Sequence, residues 1–450
     1  MARCLTGSDG SCIIVSPTRT PRRPSRLISQ PTREPSANHP LGRPLYTDPM
    51  PATTDRPAAA DAPPATASAV VPRDESSPQT APDAVRPTIA TLPGYAPGEQ
   101  PQGPGWTKLN TNENPYPPSP RAIEAMHAAV SDRLKIYPDP LGTGFREVAA
   151  ELFREAAGGN AAITADWILP GNGSDDCLTI LVRTFCSEGD TLALPYPSYI
   201  LYETLAGIQG CRAVRLPLRR DWSFDAAAAR RRVQDAKLVF LPCPNSPSGT
   251  VWDADTVRSL IPPRGVLVLD EAYADFADAP LGPRLLAELA DTPEARRLVV
   301  TRTLSKSYSL AGLRLGYAVA HPDLIGQMRK VKDSYNCDAI ALAGGAAALA
   351  DQDTVQNAIG RIRRTRERLA GELPELGFTV TPSQANFLWT ERDDGDHDRI
   401  FAGLKDRRVL VRRMHYPDAF ADGGDLSGLR MSIGSDAETD TLLAALRELV

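Results

Sequence analysis

The fold is indicated most directly by residues 265–273, which read GVLVLDEAY. The apolar run in this stretch is too short for a helix and lacks the alternation of a strand with one face in water, so it predicts a strand buried on both faces. Similar short apolar runs occur at 192–194, 238–241, 298–300 and 317–320. Because helical patterns separate these runs, the sequence predicts an α/β fold with a parallel or mostly parallel sheet between helices.

Chemically useful side chains follow several of these runs. Asp270 and Tyr273 follow the first run, Asn245 follows 238–241, and Lys306 lies just beyond 298–300. In open α/β sheets ligands bind beyond the carboxyl ends of the strands, so we expect these side chains to meet at one edge. Most lysines are solvated surface charges, but a lysine held near other cations in a poorly solvated site can act as an amine nucleophile.

An apolar strand that ends in Asp-Glu is also typical of the Mg²⁺-holding strand of P-loop ATPases. Such enzymes need a second motif, G-x-x-x-x-G-K-[ST], to hold the phosphates. The sequence contains no such motif, since its nearest glycine pair, Gly98 and Gly103, is followed by Pro104. The nucleotidase interpretation is therefore rejected.

A glycine-rich turn at residues 171–176, GNGSDD, opens into an apolar-periodic helical pattern. Backbone N–H groups at the start of such a helix, together with the Ser174 hydroxyl, would form a phosphate cradle. The dinucleotide fingerprint would require Gly or Ala where this chain has Asp176. A simple helix start with Ser174 or Asp175 as the N-cap is the alternative.

The joint pattern is more specific than any one motif. Asn245, Asp270, Tyr273, Lys306 and Arg314 follow one another along the chain, with strands between them. They supply an amine, a carboxylate, hydrogen-bond donors and a cation, which is the set of groups that pyridoxal phosphate needs. The pattern therefore favours this cofactor.

Composition divides the chain into two parts. Roughly half of the 42 prolines precede Trp106, in a segment rich in Ala, Ser and Thr. The arginine-rich, acid-poor start resembles an organelle transit peptide, but proline every few residues prevents the amphipathic helix that such peptides form. We expect a disordered tail at 1–85, with Met50 as an alternative start.

Charge, hydropathy and cysteine content narrow the class of protein. The net charge of −5 argues against a nucleic-acid binder, and no run approaches 18 apolar residues, so no membrane span is expected. The seven cysteines show no CxxC pair and no metal-ligand spacing, so we expect neither disulfides nor a metal site. The sequence is consistent with a protein of a reducing compartment, and we expect a cytoplasmic one.

The pattern changes after about residue 334. An alanine-rich helical stretch is followed by a highly charged one, and short strands are expected at 387–389, 409–411 and 429–433. This order suggests a smaller α+β domain. The predicted organisation is a tail at 1–85, an N-terminal arm with the start of the small domain at 86–135, a large cofactor-binding domain at 136–335 and a small domain at 336–450.

The sequence resembles the fold-type-I pyridoxal-phosphate aminotransferases, and among them the histidinol-phosphate aminotransferase family. The segments that carry the resemblance run in the family's order from about Arg86 to Val450. They are LNTNENPY at 109–116, YPDP at 137–140, GNGSD at 171–175, PSY at 197–199, PNSPSGT at 244–250, DEAY at 270–273, TLSKSY at 303–308, GLRLGY at 312–317, ANF at 385–387 and LRMSIG at 429–434.

The resemblance implies roles for the residues around the cofactor ring. Lys306 would form the covalent link to the cofactor and then act as general acid and base, and Asp270 would pair with the ring nitrogen. Asn245 and Tyr273 would donate hydrogen bonds to the phenolic oxygen, and Tyr199 would stack on the ring.

The resemblance also implies a phosphate site and a shared dimer. The expected phosphate ligands are Gly173, Ser174, Asp175, Thr303, Ser305 and Arg314. In the family, the equivalent of Tyr137 reaches the phosphate from the neighbouring subunit, which implies a homodimer with shared active sites.

Substrate recognition is the last inference from the resemblance. Arg430 would hold the α-carboxylate of the amino donor, while Arg412, Tyr116 and Asn386 would recognise the phosphate-bearing substrate or the distal carboxylate of glutamate. The implied reaction is histidinol phosphate + 2-oxoglutarate = imidazole-acetol phosphate + glutamate, in histidine biosynthesis. The family often has Asp where this chain has Arg413, and an unusual loop follows at 415–424. An aromatic or aliphatic amino-acid aminotransferase, a threonine-phosphate decarboxylase and a catalytically silent binding module therefore stay open as alternatives.

Overall fold

The computed structural model describes residues 84–92, 98–160 and 162–450. Residues 1–83, which include most of the expected disordered tail, lie outside the described residues. Strands β1 to β13 span, in chain order, Thr107–Lys108, Ile168–Gly171, Thr191–Tyr196, Arg212–Pro217, Ala236–Pro242, Val266–Asp270, Leu298–Thr303, Gly316–Ala320, Thr379–Val380, Phe387–Glu391, Val409–Leu410, Arg412–Tyr416 and Leu426–Ser432.

The α-helices surround these strands and alternate with most of them. Helices α1 to α13 span Pro87–Ala90, Pro120–Ala129, Thr143–Ala156, Ser174–Phe185, Leu201–Gln209, Ala226–Val233, Ala254–Ser259, Leu281–Leu289, Pro322–Met328, Ala339–Ala350, Gln352–Glu372, His397–Asp406 and Asp436–Arg447.

Seven strands form the large sheet, in the order β2-β8-β7-β6-β5-β3-β4. Strands β3 to β7 run parallel to their neighbours within this group, whereas β8 runs antiparallel to both β7 and β2. The mostly parallel sheet expected from the short apolar runs is confirmed. Its central strand, β6, ends at Asp270.

Both faces of the large sheet are covered, which explains why its strands are apolar without alternation. On β6, Leu267 and Leu269 pack into one hydrophobic cluster, and Val266 and Val268 pack into another on the opposite face. Burying a side chain of this size removes enough apolar surface to contribute roughly 1.5 to 3 kcal/mol. The two clusters therefore fix the strand from both sides.

A second, antiparallel sheet has the order β12-β13-β10-β9. Strands β1 and β11 form a separate parallel pair, which ties the N-terminal segment to the C-terminal part of the chain. The α+β character expected after residue 334 is observed, and the division of the chain at 135 and 335 stays a prediction.

Two local expectations differ from the structure. The strand expected at 409–411 is two strands, because β11 ends at Leu410 and β12 begins at Arg412. Helix α4 begins at Ser174 with Gly173 as its N-cap and no side-chain capping bond, so neither Ser174 nor Asp175 is the cap. Gly173 has φ of 87°, a left-handed conformation that glycine adopts without strain.

Among the described residues, no helix is long and apolar enough to cross a membrane.

Removing methyl groups from the central strand should destabilise the protein. Val268 is 0% exposed, so Val268→Ala should lower the free energy of unfolding by about 2 kcal/mol through lost burial and a residual cavity. The control, Val251→Ala, removes the same atoms from a side chain that is 45% exposed. It should change the free energy of unfolding by less than about 0.5 kcal/mol. Urea denaturation measures both, and equal effects would contradict the two-sided burial of β6.

Candidate active site

A cavity of about 270 Å³ lies at the carboxyl edge of the large sheet. Its walls come from the large sheet, the small sheet and the N-terminal segment, and they include Asn110, Thr111, Asn112, Ser174, Asp175, Tyr199, Ser246, Asp270, Tyr273, Thr303, Ser305, Lys306, Arg314, Arg412, Met414, Tyr416 and Arg430. Most of the residues expected at the site therefore meet in one place.

Asp270 is a buried carboxylate at the end of β6. Strand register places Thr301 of β7 beside it, and the Thr301 hydroxyl donates to Oδ1 at 3.1 Å. From α5, the Tyr202 hydroxyl donates to Oδ2 at 2.7 Å. Burial raises the pKa of Asp270 to about 6, and these two donors oppose the rise. The carboxylate is therefore mostly ionised at neutral pH and can pair with a cationic ligand group.

Lys306 lies in the loop after β7 and reaches the N-terminal segment. Its Nζ donates to the backbone oxygen of Thr111 at 2.9 Å. Desolvation, reinforced by the positive charge of Arg430, lowers the pKa of Lys306 to about 8. A substantial fraction of this amine is therefore neutral near physiological pH, as a nucleophile requires.

The glycine-rich turn forms a narrow cradle beside Arg314. A Cβ on Gly173 would lie 2.8 Å from Nη2 of Arg314, and one on Gly316 would lie 2.5 Å from the backbone nitrogen of Ser174. Register aligns Gly316 with Gly171 and Thr303 on the neighbouring strands. Because no side chain caps α4, its first N–H groups are left to an anion.

Further polar groups extend this end of the cavity. Thr303 donates to Ser305 at 3.1 Å, and Arg314 donates to the same Ser305 hydroxyl at 3.4 Å. Asp175 lies 3.5 Å from the Arg314 guanidinium and accepts from the Tyr199 hydroxyl at 3.4 Å. A guanidinium, hydroxyl groups and helix amides thus converge as a phosphate would require.

Arg430 on β13 points its guanidinium into the cavity. It donates to Oγ of Ser246 at 3.1 Å and to the backbone oxygen of Asn110 at 3.0 Å. Its Nε is buried and has no hydrogen-bond partner among the described residues. Two contacts therefore orient the guanidinium, which has five N–H groups and so keeps others for an incoming anion.

Five expected site residues lie outside the cavity lining: Gly173, Tyr137, Asn245, Asn386 and Tyr116. Asn245 is fully buried, and its amide nitrogen donates to the Pro197 carbonyl at 3.3 Å and to Ser248 at 3.1 Å. The amide of Asn386 donates to the backbone oxygen of Asn112 at 3.0 Å. The Tyr116 ring packs 3.9 Å from the guanidinium carbon of Arg361. Their expected direct contacts with cofactor or substrate stay predictions.

Tyr137 also lies away from the cavity of its own chain. It is 76% exposed and stacks on Tyr335, with ring centroids 4.3 Å apart. Leu134 and Ile136 beside it are exposed as well. This placement is compatible with the expected reach of Tyr137 into another subunit.

The structure adds four residues that the sequence did not point to. Tyr202 and Thr301 hold Asp270, Ser246 holds Arg430, and Asn112 donates to the Tyr273 hydroxyl at 3.0 Å. Asn112 and Ser246 lie inside segments quoted for the family resemblance, so the motifs marked the right regions. Which side chain of each motif faces the cavity depends on backbone turns that the letters do not specify.

The cavity fits the cofactor that the resemblance implies. Its lining includes the Lys306 amine, whose pKa is low, the buried Asp270 carboxylate, the Tyr273 phenol and residues of the phosphate cradle such as Ser174 and Arg314. Among the described residues, no group of three or more His, Cys, Asp or Glu side chains could hold a metal ion.

The chain is similar to known proteins over most of its length. Residues 104–446 match the family described as aminotransferase class I and II. The chain is 44% identical over 362 residues to a histidinol-phosphate aminotransferase of Rhodopirellula baltica, covering 80% of this chain and 93% of that protein. It is 41% identical over 367 residues to one from Geotalea daltonii, covering 81% and 99%.

A solved structure is similar over the same region. The crystal structure of histidinol-phosphate aminotransferase from Sinorhizobium meliloti, in complex with pyridoxal 5′-phosphate, superposes with a TM-score of 0.68 at 26% identity. The match covers 82% of this chain and all of that one.

The low pKa of Lys306 can be tested by chemical labelling in cofactor-free protein. Acetylation by dilute acetic anhydride should follow a midpoint near pH 8, because burial and Arg430 disfavour the charged amine. Arg430→Gln should move the midpoint upward. Mass spectrometry of the Lys306 peptide gives the midpoint for the native protein and for Arg430→Gln, with Nα-acetyllysine as the reference amine. A midpoint near the ordinary lysine value of about 10.4 would show that the amine is not activated.

Proposed function

The chain belongs to the class I and II aminotransferase family, and we propose that it transfers an amino group from histidinol phosphate to 2-oxoglutarate. The products are imidazole-acetol phosphate and glutamate, and in histidine biosynthesis the net flow is the reverse. The observation that carries the proposal is the meeting of Lys306, Asp270, Arg314 and Arg430 in one cavity. The names and identities of the relatives support the substrate.

The cofactor is pyridoxal 5′-phosphate, which supplies an aldehyde that bonds to amines and a protonated ring that takes up the electron pair of a breaking C–H bond. Asp270 holds the proton on the ring nitrogen, because its carboxylate stays mostly ionised at neutral pH. Tyr202 and Thr301 keep that carboxylate in one orientation. Loss of either donor would make Asp270 a weaker partner for the cation.

Lys306 has two tasks in succession. Its neutral Nζ first provides the covalent attachment to the cofactor. Once released from that attachment, the same Nζ would take the proton from the substrate α-carbon as a general base and give it up again as a general acid. A pKa near 8 suits both tasks, since the amine must accept a proton and also release it.

The arginines divide the recognition of anions. Arg314, Ser174, Thr303 and Ser305, with the backbone amides of Gly173 and Asp175, hold the cofactor phosphate, as supported by the cradle and its uncapped helix. Arg430 binds the α-carboxylate of glutamate or 2-oxoglutarate through its planar fork of donors, since histidinol phosphate has no carboxylate. Tyr199 covers the ring face, and Tyr273 donates to the phenolic oxygen.

Arg412 is the proposed partner of the second anion, which is the phosphate of one substrate and the distal carboxylate of the other. It lines the cavity from β12, two strand positions before Met414 and four before Tyr416, which line it too. A cation beside an apolar wall suits a substrate with an anionic end and a planar ring. Arg413, by contrast, pairs with Asp398 at 2.7 Å on the exterior.

The proposal includes the setting of the enzyme. We propose a cytoplasmic homodimer that acts on small-molecule substrates. Each chain would have a large cofactor-binding domain at 136–335 and a small domain at 336–450. The arm at 86–135 contributes Thr111 and Asn112 to the cavity, which is consistent with its assignment next to the small domain.

Turnover with different amino donors tests the substrate. With 2-oxoglutarate as acceptor, kcat/KM for histidinol phosphate should exceed that for phenylalanine or leucine by at least about 100-fold, since only the phosphate ester places an anion at Arg412. Lys306→Ala should abolish turnover and the visible absorbance of the bound cofactor. A clear preference for phenylalanine would replace the proposed substrate with an aromatic one, and CO₂ release from threonine phosphate would favour the decarboxylase.

The shared site predicts complementation between two inactive variants. In co-expressed Lys306→Ala and Tyr137→Ala chains, about half of the dimers are hybrids, and each hybrid holds one site with both native residues. Activity should therefore recover to about a quarter of the native value. Co-expressed Lys306→Ala and Asp270→Asn chains are the control and should recover no activity. Lys306 and Asp270 of one site belong to the same chain, so no hybrid dimer has a site with both native residues. Absence of recovery in the first pair, or a monomer by light scattering, would contradict the shared dimer.

A further inference from the structure

Asn112 has an unusual backbone conformation at the edge of the cavity. Its φ is 56°, in the left-handed region that residues other than glycine occupy at some cost in free energy. Its side chain is 1% exposed. Such a conformation persists only where the surroundings fix it.

Residues of the small sheet fix the backbone and one side of the amide. The backbone nitrogen of Asn112 donates to Oγ of Ser432 at 2.9 Å, and the Ser432 hydroxyl donates to Oδ1 of Asn112 at 2.9 Å. The backbone oxygen of Asn112 accepts from Asn386 at 3.0 Å. The Ser432 hydroxyl thus accepts from the backbone and donates to Oδ1, and this places the amide nitrogen, Nδ2, on the opposite side of the Asn112 amide.

That nitrogen, Nδ2, faces Tyr273. It donates to the Tyr273 hydroxyl oxygen at 3.0 Å. An amide nitrogen has hydrogens but no lone pair to offer, so the phenol cannot donate back to it. The hydroxyl hydrogen of Tyr273 must therefore point elsewhere, and Tyr273 lines the cavity.

We propose that Asn112 is a positioning residue that makes Tyr273 a hydrogen-bond donor to the phenolic oxygen of the cofactor. The inference rests on the proposed function, because it assigns a partner to the Tyr273 hydroxyl. A hydrogen bond to that oxygen stabilises its anionic form and keeps the pKa of the nitrogen that joins Lys306 to the cofactor low. Asn112 thus acts on the cofactor through Tyr273.

The local electrostatics agree with this role. Burial raises the pKa of the Tyr273 phenol, while the positive charge of Arg430 and the hydrogen bond from Asn112 oppose the rise. A phenol that receives a hydrogen bond at its oxygen is also a stronger donor, because hydrogen bonds in series polarise one another. The left-handed turn at Asn112 is the feature that brings its amide to the phenol.

The test is an absorbance titration of the holoenzyme, which reports protonation of the nitrogen between Lys306 and the cofactor. In Asn112→Gly, glycine keeps the left-handed backbone without strain while the donor is lost. The titration midpoint should rise by about 0.5 to 1 pH unit, the equivalent of one hydrogen bond. In Asn112→Asp the carboxylate accepts from Tyr273 and turns its hydrogen away from the cofactor, so the rise should be larger.

A double mutant separates positioning from general damage. In a Tyr273→Phe background, Asn112→Gly should produce no further shift, because the hydroxyl through which it acts is absent. Asn160→Gly is the matched control: it removes an amide that donates to the Ala287 carbonyl, away from the cavity, and should leave the midpoint unchanged.

The outcomes distinguish failure of the proposed function from failure of the positioning role of Asn112. A wild-type protein that forms no absorbing link with added pyridoxal phosphate refutes the proposed function itself. A wild-type link with an unshifted midpoint in both Asn112 variants refutes the positioning role alone. An equal shift in the Tyr273→Phe background does the same, since Asn112 would then act by another route. Should Asn112→Gly fail to fold by circular dichroism, Asn112→Asp carries the decision, because it preserves the shape of the side chain.

Discussion

The burial of one carboxylate, Asp270, is the constraint on which the arrangement of the site depends. A charge at the end of the central strand of a sheet covered on both faces loses most of its hydration, and the ionised form survives only with dedicated donors. Tyr202 from α5 and Thr301 from the adjacent strand supply them. Both the order of the strands and the register between β6 and β7 are therefore required for the Asp270 carboxylate to stay ionised.

The N-terminal segment at 110–114 connects the parts of the site that the sheets alone leave separate. Its backbone oxygens accept from Arg430 and from Lys306, and Asn114 donates to the carbonyls of Lys306 and Ser307. One short segment thus contacts the Lys306 amine, the Arg430 guanidinium and the loop that carries Lys306. Because these contacts use backbone atoms or short amides, they fix positions with few rotatable bonds, which lowers the entropic cost of ordering the site.

Sequence patterns predicted the large sheet well, and the reason is physical. A strand such as 238–241 is apolar on both faces only when both faces are covered, so a short apolar run without alternation was enough to identify it. Asp270 and Lys306, which were expected to meet beyond the strand ends, line the same cavity. The sequence did less well where side chains leave a turn, since it did not point to Ser246, whose hydroxyl accepts from Arg430. The neighbouring Asn245 amide donates to Pro197 and Ser248, and its expected contact with the cofactor stays a prediction. Long-range pairs such as Asn112 with Tyr273 depend on how the N-terminal segment crosses the cavity, which no local pattern encodes.

The charges around Lys306 suggest that ligand binding itself adjusts the base. Arg430 and Arg314 both lower the pKa of Lys306, while Glu113 and Asp175 raise it. Each arginine faces a place where an anion is expected, a carboxylate at Arg430 and a phosphate at Arg314. An anion that neutralises either guanidinium removes a positive charge from the surroundings of the amine, so the pKa of Lys306 rises. The amine is thus most easily neutral before the anions arrive, when it must act as a nucleophile, and becomes the stronger base once they are in place, when it must take a proton.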